Sequence, residues 1–243
     1  MNIPRVARAM MLAAALLLAP DCLAAAPARD EQWERTIDKT YPAAKLRAIS
    51  VKANVGRIEV RGGAGEQVVL HVKLRQKESF FLFRSGDPGK AEVAAETSGD
   101  TLRLNVRVDG DRDDLEEDWS LQIPARLAVR LYLNVGEMKV EDVAGGVDLY
   151  VNVGEVEVNL PRGDITAKVN VGEIRVSSAA SACGAVSIRT NIGDARVRST
   201  DPRVRDRVRG GLWNRISFQG SGKDRIDLKV NIGDASLTLR GST

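Results

Sequence analysis

A four-residue pattern of asparagine, valine or isoleucine, glycine and a charged residue recurs six times in this chain and constrains its fold more than any other feature. The copies occupy residues 54–57, 134–137, 152–155, 170–173, 191–194 and 231–234. Such a repeat is typical of a unit that buries its apolar face by stacking on further copies of itself. The chain is therefore expected to be built from one repeated structural unit.

The residues on both sides of each glycine alternate between apolar and polar, which is the period of a half-buried β-strand. In the third copy the apolar residues before the glycine are Val147, Leu149, Val151 and Val153, and those after it are Val156 and Val158. The alternation shifts by one residue at Gly154, so a straight strand would turn the second set to the opposite face. The strand must bend there, at a residue without a Cβ. The same shift predicts structural corners at Gly56, Gly136, Gly154, Gly172, Gly193 and Gly233.

The spacing of the copies predicts parallel coils stacked one upon another. Successive asparagines at positions 134, 152, 170 and 191 are 18, 18 and 21 residues apart, which suits one coil per copy. The gap of 40 to position 231 fits two coils, or one coil with an insertion. We predict an all-β chain: a parallel β-solenoid, which is a single-stranded β-helix-like stack of glycine-corner coils over residues 126–243, after an N-terminal β-meander within residues 27–125.

The first 26 residues have the three parts of a secretory signal peptide. Arg5 and Arg8 precede an apolar run over residues 10–19 that is too short to span a bilayer, and alanines fill residues 24–26. We predict export to the periplasm or cell envelope, with residues 27–243 as an all-β repeat domain that has no transmembrane segment. A lipoprotein anchored through Cys22 is the alternative. After cleavage Cys183 is the only thiol, which excludes an intramolecular disulfide.

Stacked coils place equivalent residues in columns about 4.8 Å apart. The repeated asparagines are then expected to form a ladder of amide hydrogen bonds. The residue after the glycine is acidic in five copies, which are Glu137, Glu155, Glu173, Asp194 and Asp234. Because stacked carboxylates repel one another, we expect partial compensation from Lys139, Arg175 and Arg196, two positions later.

Six arginines near the C-terminal end form the predicted ligand-binding row. They are Arg196, Arg198, Arg203, Arg205, Arg207 and Arg209. On an extended segment their guanidinium groups would face one side and suit the phosphate or carboxylate groups of an anionic glycan or lipid surface. The alternative interpretation is a solvated edge that blocks strand addition, or a partner for the acidic segment 109–118. Because export is predicted, nucleic acid is not an expected partner.

The acidic segment 109–118 contains the weak metal candidates Asp109, Asp111 and Asp113. It fails as an EF-hand because Asp114 occupies the glycine position and Ser120 the final glutamate position. A solvated loop is the preferred interpretation, and no metal or cofactor is predicted. With one histidine in the chain, His71, the Ser-His-Asp and Cys-His arrangements are excluded unless that residue serves them.

Three stretches resemble the toast-rack family of bacterial exported or membrane-attached proteins, an adhesin-like group. They are residues 58–72 after the Gly56 corner, residues 119–133 with Pro124 within them, and the glycine-corner repeats from Asn134 onward. The resemblance covers residues 32–243. It implies an all-β stack of coils, no enzymatic activity, and a role in the envelope, in adhesion or in envelope-stress signalling.

These observations predict a non-catalytic envelope protein that presents a stacked β surface to a protein partner or an anionic envelope polymer, with oligomerisation left open. Residues 186–243 contain 12 basic and 6 acidic side chains, which favours contact with an anionic surface. A carbohydrate-active β-solenoid enzyme is one alternative, and it requires carboxylates that converge in a cleft. A structural subunit that assembles through exposed coils is another.

Overall fold

The β-strands follow the alternating apolar positions, and their side chains point in turn into the core and into solvent. The computed structural model describes residues 34–76, 88–108, 115–200 and 215–241. The earlier strands are β1 (Glu34–Pro42), β2 (Ala48–Gly63), β3 (Gln67–Gln76), β4 (Glu92–Ser98), β5 (Thr101–Arg107) and β6 (Leu115–Pro124). The later strands are β7 (Ala128–Glu141), β8 (Val147–Leu160), β9 (Ile165–Ala179), β10 (Cys183–Ile192), β11 (Ala195–Ser199), β12 (Arg215–Gln219) and β13 (Asp224–Arg240).

The thirteen described strands join one sheet, in which the strands that carry the repeat run parallel. The order of neighbours is β1-β3-β6-β2-β7-β8-β9-β13-β10-β12, with β5 beside β2, β4 beside β5 and β11 beside β13. The glycines at positions 56, 136, 154, 172 and 233 are register partners across five adjacent strands. The all-β class and the parallel stacking of the repeat strands are confirmed.

Each repeat strand turns back towards its own start after the glycine. β7 and β8 are parallel neighbours, yet only residues 142–146 connect them, and the six chain steps from Glu141 to Val147 span at most about 22 Å. A straight strand of the length of β7 would extend about 46 Å, so the connection requires the bend. The Ala144 amide accordingly donates to the Ala125 carbonyl, just before β7, at 2.7 Å. A closed solenoid stays a prediction.

The glycine column has no room for side chains. All six corner glycines have φ between 125° and 143°, a range that other residues rarely adopt. A Cβ on Gly154 would overlap the carbonyl oxygen of Gly136, and a Cβ on Gly172 would overlap that of Gly154. Backbone therefore stacks directly on backbone along the corner.

The two halves of the bent strands contribute to one core. Before the corner its buried row contains Val51, Leu131, Leu149, Ala167 and Leu228, and after the corner it contains Ile58, Met138, Val156, Ile174 and Ala235. Every one of these side chains is at most 1% exposed. Burial of one large apolar side chain stabilises the fold by about 1.5–3 kcal/mol. The shift in alternation at the corner therefore keeps both rows of apolar side chains inside the core.

The valine or isoleucine of the motif points outwards, whereas its alternation predicts an inward position. Val153 is 40% exposed, while Val151 is fully buried and Val156 is 1% exposed. Because Val151 and Val156 fill the inside of the corner, Val153 lies on its outer side. The equivalent residues Val135, Val171, Ile192 and Ile232 are also exposed.

The stacking order differs from the chain order at the end of the repeat. The spacing of 21 residues predicts that the copies at Asn170 and Asn191 are neighbours, but β13, with Asn231, lies between them. β13 is continuous through its corner and pairs with β9 from Ile226 to Arg240, whereas the copy at Asn191 is divided into β10 and β11. A continuous strand satisfies more of the backbone groups of β9 than a divided one does.

The predicted N-terminal β-meander is wrong, because most neighbours in space there are not neighbours in sequence. β3 lies between β1 and β6, and among the strands before residue 125 only β4 and β5 form a hairpin of consecutive strands. The reason is that β2 carries the Gly56 corner and pairs with β7 on one side. On its other side β5 covers its first half and β6 its second half. The stack therefore begins upstream of the predicted division at residue 125.

All residues that the structure describes belong to one compact unit, Gln32–Thr243. They contain no helix that is long and apolar enough to cross a membrane. The predicted signal peptide, residues 1–26, lies outside them.

We expect Gly154→Ala to reduce the free energy of unfolding by more than about 1 kcal/mol, because the new Cβ meets backbone at a strained φ. Urea unfolding of the mature protein measures the loss. The matched control is Gly65→Ala, since a Cβ there would meet nothing within 4 Å and its φ lies outside the strained range. Equal stability of the two variants would contradict the requirement for glycine at the corner.

Candidate functional site

The six motif asparagines form an unbroken series of amide hydrogen bonds along the outside of the corner. In stacking order they are Asn54, Asn134, Asn152, Asn170, Asn231 and Asn191. Each Nδ2 donates to the Oδ1 of the preceding asparagine in this order, at 2.6–3.3 Å. A side-chain amide has two N–H groups and two acceptor lone pairs, so the four central amides keep hydrogen-bonding capacity towards solvent.

The carboxylates that follow the glycines are paired with arginines. The pairs, with their N–O distances, are Arg57–Glu137 (2.6 Å), Arg175–Glu155 (2.7 Å), Arg175–Glu173 (2.5 Å), Arg196–Asp194 (2.6 Å) and Arg196–Asp234 (3.8 Å). The hydrogen bond that Arg175 donates to Glu155 is the main cause of the raised pKa of Arg175. Within the described ranges no three acidic, histidine or cysteine side chains are placed to hold a metal ion. The column is thus a compensated structural feature.

Two of the predicted ligand-binding arginines lie in described parts of the chain. Arg196 on β11 is engaged by Asp194 and Asp234, and Arg198 is exposed on the same strand. The remaining members, Arg203, Arg205, Arg207 and Arg209, lie outside the described residues, as do the weak metal candidates Asp109, Asp111 and Asp113. Anion binding by the arginine row therefore stays a prediction.

The end of the acidic segment is not a solvated loop. Residues 115–118 belong to β6, and Glu117, the register partner of Gly56, is fully buried. Trp119 Nε1 donates to Glu117 Oε2 at 2.9 Å, and the backbone N–H of Asn54 donates to Oε1 at 3.4 Å. A buried carboxylate needs such donors. Glu117 covers the first end of the glycine column, where a further coil would otherwise stack.

The single histidine lies beside two residues of the Ser-His-Asp type. Asp38, His71 and Ser120 are cross-strand neighbours on β1, β3 and β6. The His71 Nδ1 to Asp38 Oδ1 distance is 2.6 Å, on an exposed surface. A nucleophile also needs a hydrogen bond from serine to the other ring nitrogen and oxyanion donors in a cleft. This row provides only the interaction between His71 and Asp38, and it lies on an open sheet face. That is insufficient for Ser-His-Asp chemistry.

A second row of side chains, two residues before the asparagines, faces solvent on the same side of the sheet. In stacking order its members are Lys52, Tyr132, Tyr150, Lys168, Lys229 and Arg189, here called the basic-aromatic row. Tyr132 is 42% exposed and Tyr150 44% exposed. Among the described residues, Lys229 has one acidic neighbour, Asp227 at 3.8 Å, and Lys52, Lys168 and Arg189 have no ion pair.

Two adjoining grooves run along this row. One, of about 490 Å³, is lined by Lys52, Tyr132 and Tyr150 together with the first three ladder asparagines. The other, of about 520 Å³, shares Lys52 and Tyr132 and extends to Arg103 and Arg107 on β5 and to Glu96 on β4, the register partner of Arg103. The grooves therefore place cations, aromatic rings and amides along one accessible surface.

The sequence contains a signal for this row, although the alternation of apolar and polar residues alone does not reveal it. When the six copies are aligned on their asparagines, the residue two positions earlier is lysine, arginine or tyrosine in every copy. The alternation pattern treats it as a polar position and nothing more. Its meaning depends on parallel register, which brings the six positions side by side.

A solved structure shares this fold. A putative cell adhesion protein from Clostridium sporogenes matches with a TM-score of 0.56 and 14% sequence identity, over 86% of this chain and 100% of that chain. The resemblance inferred from the sequence is confirmed at the level of the fold. A putative adhesin from Bacteroides fragilis matches at 11% identity over 84% of this chain and 96% of that chain, with a TM-score of 0.27. No protein-family model matches the chain, and no curated protein does.

We expect the paired carboxylate Glu141 to make the stability of the protein depend on pH. It accepts hydrogen bonds from Arg61 at 2.7 Å and pairs with Lys139 at 3.2 Å, and these interactions lower the pKa of its carboxyl group. A lowered folded-state pKa stabilises the protein above the unfolded value of about 4.3, and this contribution is lost as the pH falls through the folded-state pKa.

Glu141→Gln should therefore be less stable than the wild type at neutral pH, by less than about 1 kcal/mol, and should match it in acid. Unfolding curves across the acidic range measure the difference. Glu96→Gln is the control, because Glu96 is exposed and has no ion pair in the described ranges. A difference that stays constant with pH would show that the ion pairs do not stabilise the fold.

Proposed function

We propose that this protein is an exported, non-catalytic, adhesin-like component of the cell envelope that binds an anionic polymer through its stacked β surface. One observation carries the proposal. The basic-aromatic row contains four cations, two tyrosines and no acid, and it faces solvent along the whole parallel stack. Three of these cations, Lys52, Lys168 and Arg189, have no ion pair among the described residues, and exposed cations of this kind attract anions from solution.

The contrast between the two rows that flank the corner supports this assignment. After the corner, the carboxylate column is compensated by Arg57, Arg175 and Arg196 within the protein. Before the corner, Lys52, Lys168 and Arg189 have no such partner in the described part of the chain. Adjacent like charges are unfavourable in a sheet, so an external counter-charge is the simplest reason to arrange them there.

The wider architecture fits the same role. In this proposal the parallel stack is a short β-solenoid, a form that presents an extended surface to a partner. The predicted signal peptide would deliver it to the periplasm or cell envelope. The shared fold with a putative cell adhesion protein is consistent with binding as its activity, although a fold alone does not determine function.

In this proposal the arginine row makes a second contact with the same polymer. Arg198 is exposed on β11, and Arg203, Arg205, Arg207 and Arg209 alternate with other residues, a spacing that on an extended segment would direct these four guanidinium groups to one side. Guanidinium groups bind phosphate and carboxylate in bidentate geometry. Arg196 is excluded from this contact because Asp194 and Asp234 already engage it.

We expect the purified mature protein to bind at least one anionic envelope polymer in a salt-sensitive manner. The test is an array of lipopolysaccharide, teichoic acid, polygalacturonate, phosphatidylglycerol vesicles and neutral dextran, at low and at physiological salt. Binding to the anionic probes should weaken at higher salt, since exposed charges are screened. Neutral dextran should be bound weakly or not at all.

The same samples test the catalytic alternative, because the array polymers are analysed for cleaved glycosidic bonds after incubation. Binding without cleavage supports the proposal. Cleavage of any polymer would overturn the non-catalytic role, and absence of binding to every anionic probe would overturn the assignment as a polymer-binding protein.

A further inference from the structure

We infer that the basic-aromatic row is the binding site of a linear anionic polysaccharide, which lies across the strands along the stacking axis. The inference rests on the function proposed above and adds the ligand class, its orientation and the residues that hold it. The site has three components: cations, a tyrosine pair and the asparagine ladder.

The spacing of the row matches a polymer better than a single small ligand. Adjacent strands are about 4.8 Å apart, so the five steps from Lys52 to Arg189 cover about 24 Å. The parallel register keeps each side chain in line with the next. A ligand that follows the row must therefore repeat its own groups over a similar distance, as an extended chain of sugars does.

The charges require that this chain be anionic. Lys168, Lys229 and Arg189 are adjacent on three neighbouring strands, and Lys52 lies beyond the tyrosines at the other end. The nearest acids belong to the row two residues earlier. They are Glu96, opposite Arg103, Asp148, opposite Arg130, and Asp227, which contacts Lys229 at 3.8 Å. The row itself contains no carboxylate, so carboxylate or phosphate groups on the polymer would supply its counter-charge.

The tyrosines and the ladder favour sugars among anionic polymers. Tyr132 and Tyr150 are register partners, each more than two fifths exposed, and their rings offer an apolar surface for the C–H faces of sugar rings. Beside them, Asn134 and Asn152 have amide groups that the ladder does not saturate, and these can exchange hydrogen bonds with hydroxyl groups. The 490 Å³ groove brings both components together at Lys52.

A fixed repeat of this kind is less suited to a lipid surface. A bilayer presents mobile headgroups without a constant spacing, and it would use the cations but not the orientation of the amides and rings. A membrane would therefore be held mainly by charge and would depend little on the tyrosines. This difference makes the two ligands separable by substitution.

The first experiment measures the affinity of the mature protein for galacturonic acid oligosaccharides of increasing length, from disaccharide to octasaccharide. Affinity should rise with length while added sugars reach further cations of the row, and then level off when the ligand exceeds the row. Maltose oligomers of the same lengths, which lack the carboxylates, should bind at least about tenfold more weakly. An affinity that is independent of length would overturn the proposed orientation.

The second experiment uses matched charge variants. Lys52→Gln, Lys168→Gln and Arg189→Gln together should weaken binding of the octasaccharide at least about tenfold. The control is Lys45→Gln, Arg162→Gln and Lys223→Gln, which removes the same charge from exposed positions outside the row that have no ion pair among the described residues, and it should change affinity less than about twofold. Equal losses in both triple variants would show a general charge effect and overturn the site.

The tyrosines separate sugars from lipids. Tyr150→Ala should weaken oligosaccharide binding several-fold and leave binding to phosphatidylglycerol vesicles unchanged, whereas Tyr150→Phe, which keeps the ring and the fold, should bind sugar as the wild type does. If vesicles bind and no oligosaccharide does, the ligand class is wrong. Replacement of Arg198, Arg203, Arg205, Arg207 and Arg209 by glutamine gives a variant of the arginine row. If this variant loses polymer binding and the Lys52, Lys168 and Arg189 triple variant keeps it, the function proposed above stands and this site is wrong. Absence of binding to every anionic probe overturns both.

Discussion

Direct contact between glycine backbones at the corner sets the register on which the other columns depend. The carbonyl of Gly136 occupies the space that a Cβ on Gly154 would need, and the same contact recurs between Gly154 and Gly172. A slip of one residue would bring the side chain of a neighbouring valine or glutamate into that space. Register is therefore enforced by exclusion at the corner as well as by the alternation of buried residues.

Fixed register converts a short repeat into rows of like groups, and the consequence depends on the group. Asparagine amides are both donors and acceptors, so a row of them forms the ladder from Asn54 to Asn191. Carboxylates repel one another, and the protein inserts arginines such as Arg175 between them. Cations also repel, but Lys168 and Arg189 receive no comparable compensation within the described residues. The first two rows stabilise the stack, and the third is the one directed to a ligand.

Local patterns were sufficient to predict the strands, the bends and the ladder, because each depends on residues within one repeat. They were insufficient wherever two distant segments compete for one edge. The insertion of β13 between β9 and β10 depends on which copy is continuous through its corner, which spacing does not reveal. The acidic composition of its segment predicts a solvated loop for Glu117, yet Trp119 Nε1 and the backbone N–H of Asn54 satisfy its carboxylate in the core. The basic-aromatic row was missed because its members are neighbours only after stacking.

The ends of the stack bear on the alternative of a self-assembling subunit. End-to-end growth requires a free edge on a bent strand at each terminus of the stack. The outer edge of β2 is covered by β5 before the corner and by β6 after it. At the other end the outer edge of β10, before the corner, is covered by β12, whereas β11, after the corner, pairs only with β13 among the described strands. None of these covering strands continues the bent path of the repeat. β5 and β12 thus limit the half of the stack that carries the basic-aromatic row, and the finite row that results is suited to binding a segment of a longer polymer.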